Sequence, residues 1–299
     1  MVRYCRNDEP ADYRDGVRFS GNTATWVLRA AWVVGAMAAY RLLPADLAVV
    51  VAATAIWAAG LGALLLRSPT SLSVIRSVAP VALANAVVLA ARSESHLHAR
   101  ALSSALAITA AALALVMAYS ADTGRHFVQG SAYGAEQRFP LRLPAALLVP
   151  LGLAGLIWTT LAALPVALER SQRTAATVVN VAALAIGAFL WPRVHRFAQR
   201  WLVVLPTAVV VHDALVLSET LMIGRRGLAG ASLAPADTEA LDLTGPASGN
   251  AIELRLVDAP TVLLRAATAK GQARAVHAKS VLVAPSRPGA ALTAIHASR

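Results

Sequence analysis

Apolar residues are spread unevenly along this chain, and their pattern changes near Trp191 and Pro192. Before this point, long runs of Ala, Leu and Val recur about six times with only short polar breaks, as is typical of bilayer-spanning helices. After it, a basic segment leads into short segments in which apolar and polar residues alternate, as in strands. The pattern therefore predicts an α-helical transmembrane bundle followed by a small, soluble, β-rich domain.

The apolar runs predict six spans, each close to the roughly 20 residues that a helix needs to cross the bilayer. The third is the weakest, because only 15 residues separate Arg76 from Arg92. If it failed to cross, the C-terminal domain would lie on the other side of the membrane. The predicted spans are residues 26–43, 47–66, 72–92, 101–119, 144–168 and 174–191.

These features divide the chain into a polar tail (1–23), a six-helix transmembrane domain (24–192), a basic juxtamembrane linker (193–200) and a soluble domain (201–299). Loops rich in Arg and Lys stay on the cytoplasmic side of membrane proteins. With the tail inside, twelve arginines lie on the inner side and five on the outer side. We therefore expect a multi-pass protein of the plasma membrane with both termini in the cytoplasm.

The composition agrees with this division, since 57% of the residues are hydrophobic and only 14% are charged. The net charge is +11, but residues 201–299 hold nine Lys and Arg against seven Asp and Glu, about +2. The remaining positive charge lies beside the spans, where basic residues set topology and attract lipid headgroups. We therefore expect no nucleic-acid partner. The single cysteine, Cys5, excludes an internal disulfide.

The C-terminal hundred residues have the pattern of about seven short strands and one closing helix. Residues 201–205 and 208–213 flank Pro206-Thr207 as a hairpin, and residues 251–257 alternate strictly between apolar and polar. Ser286 and Pro288 are typical of a helix start. Further strands are predicted at residues 261–266 and 276–284, and the helix would bury Ala291, Leu292 and Ile295.

An aromatic and basic run leaves the last span, followed by the hairpin Trp-Leu-Val-Val-Leu…Val-Val-Val-His-Asp and the closing helix. This order resembles the membrane-tethered, pleckstrin-homology-like (PH-like) domains of bacterial membrane proteins. The whole chain also resembles uncharacterised polytopic membrane proteins of actinobacteria. The resemblance implies a PH-like fold for about 100 C-terminal residues. It implies no activity, ligand or binding residue.

Two clusters have residue types that suit chemistry. Glu94, His96 and His98 could ligate a metal ion, although solvated loop histidines are the commoner case. His212 and Asp213 could form an acid/base pair, although such a pair at a strand end is more often a turn. We therefore predict no metal site, no cofactor and no catalytic residues.

Other polar residues point to the membrane instead. Arg193, Arg196 and Arg200 are spaced three and four apart, so a helix would present them together to the anionic inner leaflet. Asn85 and Asn180 lie within predicted spans and could form hydrogen bonds between helices, or contact a substrate. The long loop at residues 120–143 is either a connector along the headgroup layer or a docking surface for the C-terminal domain or a partner.

The predicted spans contain no Asp or Glu except Glu169 at one edge, which argues against proton-coupled transport. We therefore expect a non-enzymatic scaffold or regulatory protein. Its cytoplasmic PH-like domain would bind a protein partner or a second copy of the chain, beside the lipid bilayer. The alternative is a transporter or channel for a neutral or lipid-like solute, and a membrane enzyme is a third, weaker possibility.

Overall fold

The structure is a computed structural model that describes residues 21–44, 46–93, 98–168, 170–265 and 273–298. Within these residues the chain forms eight α-helices and ten β-strands. The helices are α1 (Gly21–Tyr40), α2 (Leu47–Leu65), α3 (Pro69–Arg92), α4 (His98–Tyr119), α5 (Ala121–Gln129), α6 (Ala145–Ala167), α7 (Arg173–Ala198) and α8 (Pro288–Ala297). The strands are β1 (Gln137–Pro140), β2 (Trp201–Val204), β3 (Ala208–His212), β4 (Leu221–Gly224), β5 (Leu228–Leu233), β6 (Leu241–Asp242), β7 (Ile252–Leu256), β8 (Thr261–Arg265), β9 (Ala273–His277) and β10 (Ser280–Val283).

Five helices in the described ranges are long and apolar enough to cross a membrane: α2, α3, α4, α6 and α7. By length and composition the protein is therefore a multi-pass membrane protein. The sequence predicts six spans, and the one outside these five is α1, in which Arg29 and a polar first turn lower the hydropathy. The third span, the weakest in the sequence, is a helix of 24 residues.

Helix α3 is longer than its apolar run because its start is well capped. Ser68 accepts a hydrogen bond from the backbone N–H of Ser71, and Pro69 occupies the first turn. A capping serine and a proline at this position both favour helix initiation. The helix therefore begins three residues before Leu72, and Arg76 lies inside it.

Helix α3 lies at the centre of the bundle, where it packs against α2, α4, α6 and α7. Its contact faces are built from small side chains, and Ala79, Ala82 and Ala86 are all fully buried. In a bilayer, small residues let helix backbones approach closely, which is a main source of packing energy between helices.

Two contacts fix the direction of the helices around α3. The guanidinium of Arg92, at the end of α3, donates to the carbonyls of Val166 and Leu168, at the end of α6. Ser73, near the start of α3, lies 3.0 Å from the ring of His195, near the end of α7. Helices α3 and α7 are therefore antiparallel. We refer to the two ends of the bundle as the Arg92 end and the domain end.

The C-terminal region is β-rich and closes with α8, as the sequence predicts. One sheet has the order β1-β2-β3-β4 with every pair antiparallel. A second has the order β5-β7-β10-β6, in which only β6 and β10 are parallel. Strands β8 and β9 form a separate hairpin. Helix α8 packs against β5 and β2 and buries Ala291 and Ile295 completely.

The first strand of this region comes from the loop between α5 and α6. Strand β1 pairs with β2, so that Phe139 lies opposite Leu202, and Phe139 is fully buried in the core of the β-rich region. The ring of Trp201, in turn, packs against the core of the helical bundle. Of the two interpretations of this loop, strand pairing corresponds to docking of the C-terminal domain. The loop between α5 and α6 thus supplies one strand to a sheet of the β-rich region.

Candidate functional site

A cavity of about 2580 Å³ lies along α3, between α2 on one side and α6 and α7 on the other. We call it the groove. Most of the residues that line it are Ala, Val, Leu and Gly. Pockets for small, drug-sized molecules occupy roughly 300–1,000 Å³. The groove is larger, so its dimensions suit a long, apolar molecule.

The groove has a gap in its wall. Helix α2 packs on α3, and α6 packs on both α3 and α7, which leaves α2 apart from the α6–α7 pair. The pair is held together by the Trp158 indole, whose N–H donates to the carbonyl of Ala183 across 3.0 Å. Because α3 contacts both walls and α2 makes no substantial contact with α6 or α7, the groove is open on the side away from α3.

Two asparagines line the groove at the same depth. Asn85 on α3 lies seven residues before Arg92, and Asn180 on α7 lies seven residues after Arg173. Because α3 and α7 are antiparallel, each is about 10 Å from the Arg92 end at 1.5 Å per residue. Asn85 is 2% exposed, and its Oδ1 has no hydrogen-bond partner among the described residues.

The sequence suggested that these asparagines form hydrogen bonds between helices. In the described part of the chain neither side chain bonds to a neighbouring helix, and both line the groove instead. Other side chains, among them Arg92, Ser73 and Trp158, form hydrogen bonds between the helices that line the groove. The alternative role of the asparagines, contact with a bound molecule, therefore remains open.

The Arg92 end of the groove carries charged side chains of both signs. Arg173, at the start of α7, lies 3.7 Å from Asp46, which precedes α2. Asp46 also accepts the backbone N–H of Ala48 and so caps α2. The ion pair joins the two helices that are otherwise separated by the gap. Arg92 lies on the same end, so two arginines and one aspartate are the charged residues among the described lining there.

At the domain end, a chain of hydrogen bonds joins α3 to α7. The hydroxyl of Ser73 donates to the carbonyl of Pro69, so the Nδ1–H of His195 donates to Ser73 and the amide of Gln199 donates to Nε2. The His195 ring also stacks on Trp191. A catalytic serine gives its proton to the histidine, and a carboxylate orients that histidine. Here the Ser73 hydroxyl donates to Pro69, and the second nitrogen of His195 is bonded to Gln199 rather than to a carboxylate, so the arrangement differs from that of a catalytic serine.

A tyrosine repairs the break that Pro80 makes in α3. Proline has no N–H, so the carbonyl of Arg76, four residues earlier, loses its helical partner. The hydroxyl of Tyr119 donates to this carbonyl across 2.9 Å, and the guanidinium of Arg76 lies over the Tyr119 ring. The same guanidinium donates to the carbonyl of Ala118. The end of α4 is thereby fixed to α3 beside the groove.

The last residue of β1 and the residues that follow it lie at the domain end of the groove. Pro140, Leu141 and Arg142 all line it. The guanidinium of Arg142 donates to the carbonyls of Pro285, Ser248 and Asn250, at distances of 3.1, 2.5 and 2.6 Å. This part of the lining therefore belongs both to the groove and to the β-rich region.

The three arginines predicted at the membrane surface do not act together. Helix α7 continues through Pro192 to Ala198, so Arg193 and Arg196 lie on its last turns and are exposed. Arg200 lies beyond the helix and is 1% exposed, because its guanidinium pairs with Asp213 inside the β-rich region. Burial removes Arg200 from any contact with headgroups. Surface contact stays a prediction for the other two.

The two candidate chemical clusters have different outcomes. Asp213 forms an ion pair with Arg200, while the His212 ring stacks on Trp201 and forms a hydrogen bond with Thr220. His212 and Asp213 therefore do not form an acid/base pair with each other. Glu94 and His96 lie outside the described residues, and His98 is the exposed first residue of α4. Across the described ranges, no three His, Cys, Asp or Glu residues lie close enough together to hold a metal ion.

Helix α5 lies between the bundle and the β-rich region, and burial changes the ionisation of its side chains. Burial lowers the pKa of Arg125, whose guanidinium lies over the Phe139 ring. Burial also lowers the pKa of His126, and the positive charges of Arg67 and Arg29 lower it further. The imidazole of His126 is therefore held in its neutral form more strongly than a free histidine.

This chain matches no protein-family model, no curated protein and no solved structure. Its function must therefore be inferred from the groove and from the β-rich region joined to it.

Proposed function

We propose that this integral membrane protein binds a lipid-like amphiphile in the groove and carries it within or across the bilayer. The observation that supports this function is the combination of a large apolar volume with a lateral gap between α2 and the α6–α7 pair. Lipid-like solutes dissolve in the hydrocarbon core, so their binding site needs a side opening rather than an aqueous pore.

The length of the groove supports the same proposal. On α3 its lining extends from Leu72 to Arg92, which is about 30 Å of helix and close to the thickness of the hydrocarbon core. Arginines border it at both ends, Arg92 and Arg173 at one and Arg142 and Arg193 at the other. Positive charge at the ends and an apolar interior suit an amphiphile with an anionic or strongly polar head.

The test fills the groove without disturbing the fold. Gly155 of α6 lines the groove, and a Cβ placed on it meets no atom within 4 Å, so Gly155→Phe can project into the open volume. Gly62 of α2 has equal space outside the groove and provides the control, Gly62→Phe. Each variant and the wild type are purified in mild detergent, and the retained lipids are quantified by mass spectrometry.

We expect Gly155→Phe to retain at least several-fold less of one lipid class than the wild type, and Gly62→Phe to retain an unchanged amount. Equal retention by all three proteins would contradict the proposal. Loss in both variants would also count against it, because the effect would then come from added bulk rather than from the groove.

A second candidate function is a scaffold or regulatory protein with both termini in the cytoplasm of a bacterial cell and a PH-like C-terminal domain. One specific observation favours it. Strand β4 is an edge of its described sheet, and Met222 on it is 69% exposed. Exposed edge strands are common sites of strand addition by partners. In this function the chain has no enzymatic activity and no cofactor, and β4 pairs with a second copy or a protein partner.

Self-association through β4 can be tested by cross-linking. Cys5 is the only native cysteine, so Met222→Cys in a Cys5→Ser background places one thiol on the edge strand. Val257→Cys, at a position that is 60% exposed and outside β4, is the control. Disulfide-linked dimers in membranes from the first variant alone would support the proposal. Equal or no cross-linking in both would contradict pairing of two copies at β4.

A further inference from the structure

We infer that the groove selects amphiphiles that carry a hydroxyl group on the hydrocarbon chain, and that Asn85 is the residue that binds this hydroxyl. The inference rests on the proposed function, because it requires an apolar chain in the groove. It goes further by naming the chemical class of the ligand and the residue that distinguishes it from an ordinary acyl chain.

The amide of Asn85 is not fully satisfied by the protein. This side chain is 2% exposed, and its Oδ1 has no hydrogen-bond partner in the part of the chain that the structure describes. Nearly all buried polar side-chain atoms in proteins are hydrogen-bonded, and an unpaired one is destabilising. Leu or Ala would pack at this position at no such cost. Because Oδ1 is enclosed, a ligand in the groove would reach the other end of the amide, and a hydrogen bond to that end accounts for an asparagine here.

Asn85 lies part-way along the groove rather than at its mouth. It lines the groove about 10 Å from the Arg92 end, at the same depth as Asn180 on the opposite wall. The neighbouring lining on α3, α2 and α6 is almost wholly apolar. A head bound near Arg92 and Arg173 would therefore place its chain, rather than its polar head, beside Asn85. The group that Asn85 recognises must lie on that chain.

The chemistry of the Asn85 amide determines which chain substituent it can bind. The oxygen and nitrogen of an asparagine amide exchange places when the group turns by half a rotation, so the side chain can present either an acceptor or a donor. A hydroxyl both donates and accepts, and it satisfies Asn85 in either orientation. A keto group only accepts, and an unsubstituted or unsaturated chain does neither. The hydroxyl is therefore the substituent that pairs with Asn85 most completely.

The experiment compares matched ligands. The full-length protein in nanodiscs is titrated with stearic acid and with monohydroxystearic acids whose hydroxyl stands at different positions along the chain, and the Kd of each is measured. We expect one hydroxyl position, or two adjacent ones, to bind about three- to tenfold more tightly than stearic acid, as one net hydrogen bond predicts. In Asn85→Leu this preference should disappear, while the affinity for stearic acid stays equal or improves.

The control is Thr109→Val, which removes a hydroxyl from α4 outside the groove and should leave the preference intact. Equal Kd values for stearic acid and every hydroxylated isomer in the wild type would overturn the inference, even if Asn85→Leu proved unstable. Persistence of the preference in Asn85→Leu would overturn it as well. If neither kind of fatty acid binds, or if both bind Gly155→Phe as tightly as wild type, the proposed function itself fails.

Discussion

Arg200 and Asp213 form a two-point ion pair in the interior of the β-rich region. Nε of Arg200 lies 2.7 Å from Oδ1 of Asp213, and Nη2 lies 2.6 Å from Oδ2. The side chains are 1% and 0% exposed. The third nitrogen, Nη1, donates to the carbonyl of Arg142, 58 residues earlier in the chain. This one guanidinium thus joins three parts of the chain: the residues between α7 and β2, the turn after β3 and the segment after β1.

Removing either partner of this pair leaves a buried charge without compensation. Such changes typically cost about 3–5 kcal/mol. We therefore expect Arg200→Gln and Asp213→Asn each to lower the thermal stability of the protein strongly. The measurement is the melting temperature of the purified full-length protein in detergent. Arg193→Gln and Arg196→Gln, which change exposed arginines of the same basic segment, should change it little. Similar losses in all four variants would contradict a special role for Arg200.

Arg200 also illustrates what the sequence could not predict. Its spacing from Arg193 and Arg196 fits a helical face, and local spacing predicts a shared surface. The helix, however, ends at Ala198, and the partner of Arg200 is 13 residues away, directly after β3. In the hairpin predicted around Pro206 and Thr207, Trp201 pairs with His212, so the next position outward sets Arg200 opposite Asp213. The helical spacing and the hairpin register therefore give different positions for Arg200, and neither pattern alone shows which one prevails.

Several elements follow the sequence, because hydrophobic periodicity is a local property. The predicted strand at 276–284 is instead the end of β9 and the whole of β10, separated at residues 278 and 279, and the described C-terminal region has nine strands rather than about seven. The hairpin at 201–213, the alternating strand at 251–257 and the closing helix with Ala291 and Ile295 buried all agree with the structure. The sequence pattern does not predict strand β1, because Gln137–Pro140 is short and contains a proline. It is a strand only because β2 is beside it. The role of Tyr119 could have been suspected from one feature of the sequence. Pro80 leaves a carbonyl of α3 without its helical donor, so another donor is needed there.

The bond between Tyr119 and Arg76 exists because of Pro80, and a double-mutant cycle tests this. Tyr119→Phe should lower stability by about 1–2 kcal/mol, because the carbonyl of Arg76 loses the hydroxyl that replaces its helical donor. In a Pro80→Ala background the N–H of residue 80 can take that carbonyl, so Tyr119→Phe should have little effect there. Melting temperatures of the four proteins give the coupling. An equal cost of Tyr119→Phe in both backgrounds would contradict the explanation.

A second ion pair joins α5 to the C-terminal region. Nε and Nη2 of Arg287 lie 3.0 and 2.6 Å from the carboxylate oxygens of Asp122. Both side chains are partly exposed, so the pair should contribute less than Arg200–Asp213, on the order of 1 kcal/mol. We expect Asp122→Asn and Arg287→Gln to increase backbone amide exchange at the start of α8, and the double variant to add little more. Additive effects of the two changes would rule out a direct coupling.

His126 should make stability depend on pH. Its pKa in the folded protein is lowered from 6.5 by burial and by the charges of Arg67 and Arg29. The unfolded chain therefore binds the proton more readily, and the folded state loses stability as pH falls below about 6.5. We expect the melting temperature of the wild type to fall more than that of His126→Gln between about pH 7.5 and pH 5.5. Parallel pH profiles for the two proteins would contradict this.

Two glycines of α2 should respond oppositely to alanine. A Cβ on Gly60 would lie 1.9 Å from the Trp32 ring, whereas a Cβ on Gly62 would meet no atom within 4 Å. Trp32 is buried, and its indole N–H donates to the carbonyl of Trp57, so the ring cannot move aside without breaking that bond. We expect Gly60→Ala to destabilise the protein by about 1–3 kcal/mol through overpacking. Gly62→Ala should be neutral or slightly stabilising, because alanine favours helix. Melting temperatures decide between them, and equal effects of the two substitutions would show that α1 and α2 do not pack through Trp32 and Gly60 as described.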